Sequence, residues 1–351
     1  MFSSLTSSSC NIRPSSYQGY TFDVYIVRPG ANDASKTIAT IILAFVVLPS
    51  DAFGFVAPAI NGKTITYDKV LGQGASSNVL VTKPIATAEG EQLLAVKLLR
   101  RVVDNPVSSV DDFVLEQEIL KSLAHLGRFP TFVGALDNSD GQGFAMIPVV
   151  KAFDPSHAKD TTGLCKKNIA TIVDDVRALH KMEKPVCHGD LRPSNILKRA
   201  DGSAIIVDFG CAVADSPAFD LSSFRGAVYH LPSDVHDQGV THSRYAIDLR
   251  ILVRSSFLVA TVTNGRQGTD TMSHAEFRDE FISVVAGIDH TTTANVDGDA
   301  EVARKFWVKV ESSHLWTAMK VHKSTHTWKD ADDAAAACQY DDLGKILASI
   351  M

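Results

Sequence analysis

The string HGDLRPSN, His188 to Asn195, sets Asp190 five residues ahead of Asn195, and VDFG, Val207 to Gly210, brings a second aspartate, Asp208. The stretch NILKR-ADG-SAIIVDFG between them reads as a hairpin, two β runs joined by an Asp-Gly turn. Asn195 starts one strand and Asp208 ends its partner, so the turn holds the two side chains near each other. They form a hard-oxygen pair suited to Mg²⁺ shared with phosphates. Asp190, in a tight loop with Gly189 and Pro193, falls on the open side, where it could accept a hydroxyl proton. Each of these residues alone reads equally well as an ordinary turn residue. Their joint order and spacing is what argues for phosphate chemistry.

Two upstream features fit the same chemistry. LGQGASSNV, Leu71 to Val79, lies between two β runs, and Gly72 and Gly74 stand one residue apart. Such glycines let backbone amides approach phosphate oxygens without a Cβ in the way. No Gly-Lys-Ser/Thr follows and no helix starts there, which excludes a P-loop. Lys97 in AVK is bracketed by apolar residues on a strand, a setting in which an ammonium needs an anionic partner. Glu116 on the following helix is the obvious candidate and Glu118 the less favoured substitute. The pattern leaves open which of them faces inward.

These residues need elements to hold them. ITYDKVLG, NVLVTK and EQLLAVKLLR read as β runs separated by turn signals, and GFAMIPVV as a buried strand. DDFVLEQEILKSLAHLG reads as a helix capped by Asp111 or Asp112 and stopped at Gly127. NIATIVDDVRALHKM carries Ile169, Ile172, Val173, Val176 and Leu179 along one face, an amphipathic helix directly ahead of the Asp190 loop. The expected class is therefore α+β: a small β-rich lobe joined near Pro148 to Pro155 to a larger, mostly helical one.

Composition is that of a globular chain of 351 residues, 45% hydrophobic and 21% charged, long enough for one bilobal domain or two domains. A formal charge of −6 and the lack of any basic run beyond Arg100-Arg101 with Lys97 argue against nucleic acid as a partner. Five widely spaced cysteines (Cys10, Cys165, Cys187, Cys211, Cys338) with no CxxC pair indicate neither a disulfide framework nor a zinc site. That pattern favours an intracellular, reducing and most simply cytoplasmic setting. His230, His236 and His242 recur at a six-residue interval that is no helical ligand spacing, and read as loop histidines. Trp307, Trp316 and Trp328 read as core.

Residues 1–62 differ from the rest. The Ser-rich start suggests disorder, and the apolar run Ile38 to Pro49 is too short for a confident bilayer span of about 20 residues. An extra strand or helix is the plainest reading of the run. A targeting segment, loosely similar to algal plastid presequences around DAFGFVAP, and a membrane association through residues 38–49 are the alternatives.

Taken together, the glycine loop, strand lysine, helix glutamate, HGDLRPSN and DFG resemble the eukaryotic protein kinase superfamily. The resemblance covers about residues 65 to 260. It implies a bilobal kinase-like domain over 63–351, with its β-rich lobe at about 63–150, that uses ATP and Mg²⁺ to phosphorylate Ser/Thr hydroxyls of a protein substrate. By the same resemblance Gly72, Gly74 and Val79 cover the phosphates, and Lys97 holds them while paired with Glu116. Asp190 is the base, and Asn195 and Asp208 are the Mg²⁺ ligands. FRGAVYHLP, Phe224 to Pro232, resembles the end of an activation segment, and Asp248 in YAIDLRILVRSSF the aspartate that steadies the catalytic loop.

The departures from the family pattern carry information. Ser77 stands for the third loop glycine, Ser233 for a glutamate that normally makes a structural ion pair, and Arg192 for the catalytic-loop lysine. Gly189 replaces the arginine that pairs with a phosphorylated activation segment, so activity is expected not to depend on that phosphorylation. HGDL also occurs in aminoglycoside- and choline-type phosphotransferases, making a small-molecule kinase one alternative and a pseudokinase scaffold another.

Overall fold

The computed structural model describes residues 15–17, 20–25, 42–44, 58–73, 77–87, 90–99, 110–137, 142–154, 158–216, 218–232, 235, 243–264, 296–312 and 333–351. The chain divides into two compact units, Met1–Pro58 and Ala59–Met351. In the first, strands β1 (Ser15–Tyr17), β2 (Tyr20–Tyr25) and β3 (Ile42–Ala44) form an antiparallel sheet, so part of the apolar run is a strand. Its other residues lie outside the described ones.

The second unit begins ahead of the expected residue 63. β4 (Ala59–Ile60) and β5 (Lys63–Thr64) make a small hairpin, and Ile60 is buried and bridged to Leu136. Strands β6 (Tyr67–Gln73) and β7 (Ser77–Thr82) follow. EQLLAVKLLR is not one strand. β8 (Ile85–Thr87) pairs with β9 (Gly90–Gln92), and after Leu93-Leu94 a separate β10 (Ala95–Leu99) enters the main sheet. With α1 (Val110–Leu123), β11 (Thr131–Ala135) and β12 (Gly143–Ile147), the sheet has the order β11-β12-β10-β7-β6, antiparallel throughout. Central β10 has Ala95, Val96 and Lys97 all buried, as expected for a strand covered on both faces. α1 packs on the sheet through Phe113, whose ring centroid is 5.1 Å from that of Phe144 on β12.

The helical part starts at α2 (Ala158–Thr161) and α3 (Ile169–His180). Ile169, Ile172, Val173, Val176 and Leu179 form the buried stripe of α3 that their spacing predicts. β13 (Val186–Cys187), β14 (Ile196–Lys198), β15 (Ala204–Ile206) and β16 (Val213–Ala214) pair as β13-β16 and β14-β15. Asn195 ends a short 3₁₀ turn ahead of β14 rather than starting the strand, and Asp208 follows β15 by two residues. α4 (Arg244–Asn264) is buried on nearly all sides from Ala246 to Phe257. α5 (Val296–Glu311) buries Ala303, Phe306, Trp307 and Val310 at helical spacing, and α6 (Asp333–Ile350) buries Tyr340, Leu343, Leu347 and Ile350. Trp307 is core; Trp316 and Trp328 lie outside the described residues. Among the described residues no helix is long and apolar enough to cross a membrane.

Ile172 on α3 is fully buried in the main hydrophobic core. Ile172→Ala should lower the unfolding free energy by about 2–5 kcal/mol, read from the midpoint of a urea titration.

Candidate active site

Gly72, Val79 and Lys97 lie in one row across three strands, because Val79 is the register partner of both others. Gly74 lies outside the described residues. Lys97 is 3% exposed, and its Nζ lies 2.7 Å from both carboxylate oxygens of Glu116 and 2.6 Å from Oδ1 of Asp208. Glu116 is thus the inward glutamate, whereas Glu118 is exposed and pairs with Lys121 at 2.7 Å. Burial pulls the Lys97 ammonium toward neutrality, but Asp208 and Glu116 outweigh it and hold the lysine protonated. The same burial pushes Asp208 upward, and the adjacent ammonium overrides it, so the carboxyl titrates well below its usual range.

Asp208 takes a left-handed backbone conformation, φ 65°, uncommon for a residue with a Cβ. The turn aims its carboxylate at Lys97 while its neighbour Phe209 is buried edge-on against Phe129. His188 links this turn to the loop before it. Its Nε2 donates to the Val207 carbonyl at 3.0 Å, so Nδ1 is the atom that accepts the Asp190 N–H at 3.2 Å.

Asp190 is 4% exposed and fixed from several sides. Oδ1 accepts the Ala227 N–H at 3.0 Å, Oδ2 accepts Asn195 Nδ2 at 2.8 Å, and Arg192 Nε pairs with Oδ2 at 3.0 Å. Asn195 Nδ2 also reaches the Asp190 carbonyl at 2.9 Å, and Asn195 Oδ1 accepts the Ser194 hydroxyl at 3.4 Å. That amide oxygen and the Asp208 carboxylate, 41% exposed, are both hard oxygen donors, the ligand type a divalent cation such as Mg²⁺ takes.

The loop itself hangs on α4. Asp248 Oδ2 accepts the His188 N–H at 2.6 Å, and Oδ1 accepts the Gly189 N–H at 2.8 Å. His180 contacts Asp248 through Nε2 at 3.1 Å and the Tyr340 hydroxyl through Nδ1 at 2.6 Å. The Cys187 sulfur lies within 4.8 Å of this pair's ligand atoms. Burial and Asp248 push its thiol far up, and His180 joins Asp248 to the Tyr340 hydroxyl in one hydrogen-bonded network.

Gly189 has φ +75°, and a Cβ there would meet the Cys211 carbonyl at 2.7 Å. A Cβ on Gly226 would fall 2.1 Å from the Gly189 carbonyl. Three backbone segments therefore stack where side chains would not fit.

Several contacts escape sequence inspection. Arg225 pairs with Asp112 in the first turn of α1, and Arg192 Nη1 donates to the Tyr229 hydroxyl at 3.0 Å. Arg254, 2% exposed, donates to the carbonyls of His230 and Leu231, pairs with Glu311, and lies 4.5 Å from the Trp307 ring centroid. Trp307 Nε1 donates to the Tyr229 carbonyl at 2.5 Å. The one available signal is a pair of arginines, Arg250 and Arg254, among the apolar residues at the centre of α4. Ser233, His236 and His242 lie outside the described residues.

A protein kinase domain model matches residues 65–249, more than half of the chain, and the chain belongs to that family. It is 29% identical over 180 residues to the serine/threonine-protein kinase AtPK2/AtPK19 of Arabidopsis thaliana, covering 49% of this chain and 36% of that protein. It is 24% identical over 176 residues to the serine/threonine-protein kinase PrkC of Bacillus subtilis, covering 46% of this chain and 25% of that protein. A probable serine/threonine-protein kinase, PknB of Lactococcus lactis, is 24% identical over 170 residues, 46% of this chain and 26% of that protein. The chain thus spans only about a quarter to a third of the length of these relatives.

His230, buried beside Arg192 and Arg254, is pushed down to about 3, first by desolvation and then by the two cations. Its ordinary value is 6.5, so the unfolded chain takes up the proton first. This imidazole's contribution is complete above about pH 6.5 and is lost as the pH falls toward about 3. His230→Leu should therefore lose less stability than the wild type between pH 6.5 and 4, read by denaturant unfolding at each pH.

Proposed function

We propose that the chain is an ATP- and Mg²⁺-dependent kinase that phosphorylates serine or threonine hydroxyls of a protein substrate. The observation that carries this reading is the convergence of Lys97, Glu116 and Asp208 on one side with Asp190 and Asn195 on the other. Asp208 and Asn195 would hold the metal ion, which when bound supplies charge to neutralise the nucleotide's phosphates. Lys97, protonated and already beside Asp208, is available to ion-pair with phosphate oxygens. Asp190, its carboxylate fixed by Ala227, Asn195 and Arg192, orients the acceptor hydroxyl and takes its proton.

The reading extends to regulation: activity does not require a phosphorylated activation segment. An arginine at position 189 would need a left-handed backbone and a Cβ against the Cys211 carbonyl. In its place, Gly226 stacks on Gly189, Ala227 bonds to Asp190, and Arg225 reaches α1 one helical turn from Glu116. A fixed ion pair thus joins the segment to the helix that carries the Lys97 partner. The cysteine pattern supports an intracellular site of action, and N-terminal sequencing of the mature protein would show whether the segment ahead of the domain is removed.

Mg-ATP turnover should be measured with a generic protein substrate and with a panel of aminoglycosides and choline. Transfer to protein that disappears in Asp208→Ala is the expected result, and Asp190→Asn should lower kcat roughly 10²–10⁴-fold while nucleotide still binds. Transfer to small molecules alone would replace the protein substrate, and nucleotide binding without transfer would leave a scaffold.

Phosphatase treatment should leave the rate unchanged. Asp112→Arg should lower it several-fold, and the added change Arg225→Asp should restore part of the loss. A rate abolished by phosphatase would overturn the regulatory reading.

A further inference from the structure

Arg192 follows Asp190 by two residues, and its guanidinium is shared between two partners. Nε pairs with Asp190 Oδ2 at 3.0 Å, and Nη1 donates to the Tyr229 hydroxyl at 3.0 Å. Tyr229 sits in the short turn Val228–His230 near the end of the activation segment and is 8% exposed. Its position is set from outside that segment. Trp307 Nε1 on α5 holds the Tyr229 carbonyl, and Arg254 on α4, paired with Glu311, holds the next two carbonyls. Three successive carbonyls, 229 to 231, are thus pinned by buried side chains of two helices. This anchorage comes from α4 and α5, and serine stands at position 233.

We propose that Tyr229 is a positioning residue for phosphotransfer: its hydroxyl sets the Arg192 fork so that Nε meets Asp190 Oδ2. The chain of support runs from Trp307 and Arg254 through the 229–231 backbone to the phenol, then to Arg192 and the base. It accounts for arginine at position 192. A planar guanidinium spans two partners at a fixed angle, whereas an ammonium is a point charge with no such geometry. It also assigns separate work to the two halves of one turn. Ala227 contributes only its N–H to Oδ1, and the phenol acts through Arg192 on Oδ2. This role rests on the phosphotransfer reading of Asp190, and its test must fail separately from that reading.

The test is a double-mutant cycle on the full chain with Tyr229→Phe, Arg192→Lys and the pair combined. Phenylalanine keeps the buried ring and removes only the hydroxyl. Tyr229→Phe should lower kcat roughly 10-fold, the scale of one hydrogen bond to a charged group, with Mg-ATP affinity and thermal midpoint unchanged. The double variant should be no slower than the slower single variant. Trp307→Phe should slow the wild type but add nothing once the phenol hydroxyl is gone.

Effects that simply multiply would overturn the proposal, as would a wild-type kcat in Tyr229→Phe or an equal loss of nucleotide affinity. Side-chain ¹⁵N spectra supply a readout that needs no turnover. The Arg192 Nε–H, assigned by its absence in Arg192→Lys, should exchange slowly with solvent in the wild type and faster in Tyr229→Phe. If the wild type transfers no phosphate, the phosphotransfer reading fails. Unchanged Nε–H protection in Tyr229→Phe then separately removes the positioning role.

Discussion

A carboxylate buried in a helix interior has to be satisfied by donors, and Asp248 sets much of this structure by that need. It lies on α4, the most enclosed helix, and takes the backbone N–H groups of His188 and Gly189 together with the His180 ring. The loop carrying Asp190 is therefore fastened to the core by its main chain, which leaves its side chains available for other contacts. His188 carries the constraint onward, through the Val207 carbonyl, to the turn that presents Asp208. A fixed anion in α4 thus orients the loop of Asp190 and, one step removed, the turn of Asp208. Losing one partner of such a buried arrangement leaves the other group uncompensated, which typically costs about 3–5 kcal/mol.

The other organising charge is the Lys97 ammonium. Held between Glu116 and Asp208, it joins a strand, a helix and a turn that are far apart in the sequence. Burial raises the Glu116 carboxyl against the pull of Lys97, whereas Lys97 and Arg192 keep Asp208 ionised. Asp208 is also the carboxylate of the cluster that stays accessible.

The chemistry was more legible in the sequence than its support. Asn195 and Asp208 flank one hairpin and Asp190 lies five residues ahead of Asn195, so local spacing already implies proximity. The α3 stripe was readable because its burial follows a simple period. Glu116 and Glu118 are two positions apart on α1 and so fall on nearly opposite faces, and only packing against Lys97 distinguishes them. EQLLAVKLLR misled because apolar residues at Leu93 and Leu94 bridge an edge hairpin and the central strand without a turn signal. Asn195 reads as the start of a strand from spacing alone, because Pro193 can open a 3₁₀ turn as readily as a loop. Trp307 with Tyr229 and Arg254 with Leu231 join residues separated by 78 and 23 positions, and no local pattern encodes such pairs.

Gly189 shows how a missing side chain can be structural. At first sight it is only the absence of an arginine, and therefore of a counter-charge. In the fold it is also the condition for the activation segment to approach, since Gly226 lies on its carbonyl and Cys211 lies behind its α-carbon. Contacts of that kind do not titrate and do not depend on a modification. The charged contacts that flank them are Arg225 with Asp112 and Arg254 with Glu311. The arginine fork at position 192 belongs to the same arrangement. Close backbone stacking and these ion pairs build the geometry of the segment into the folded chain, and they are the ground on which independence from an added phosphate is proposed.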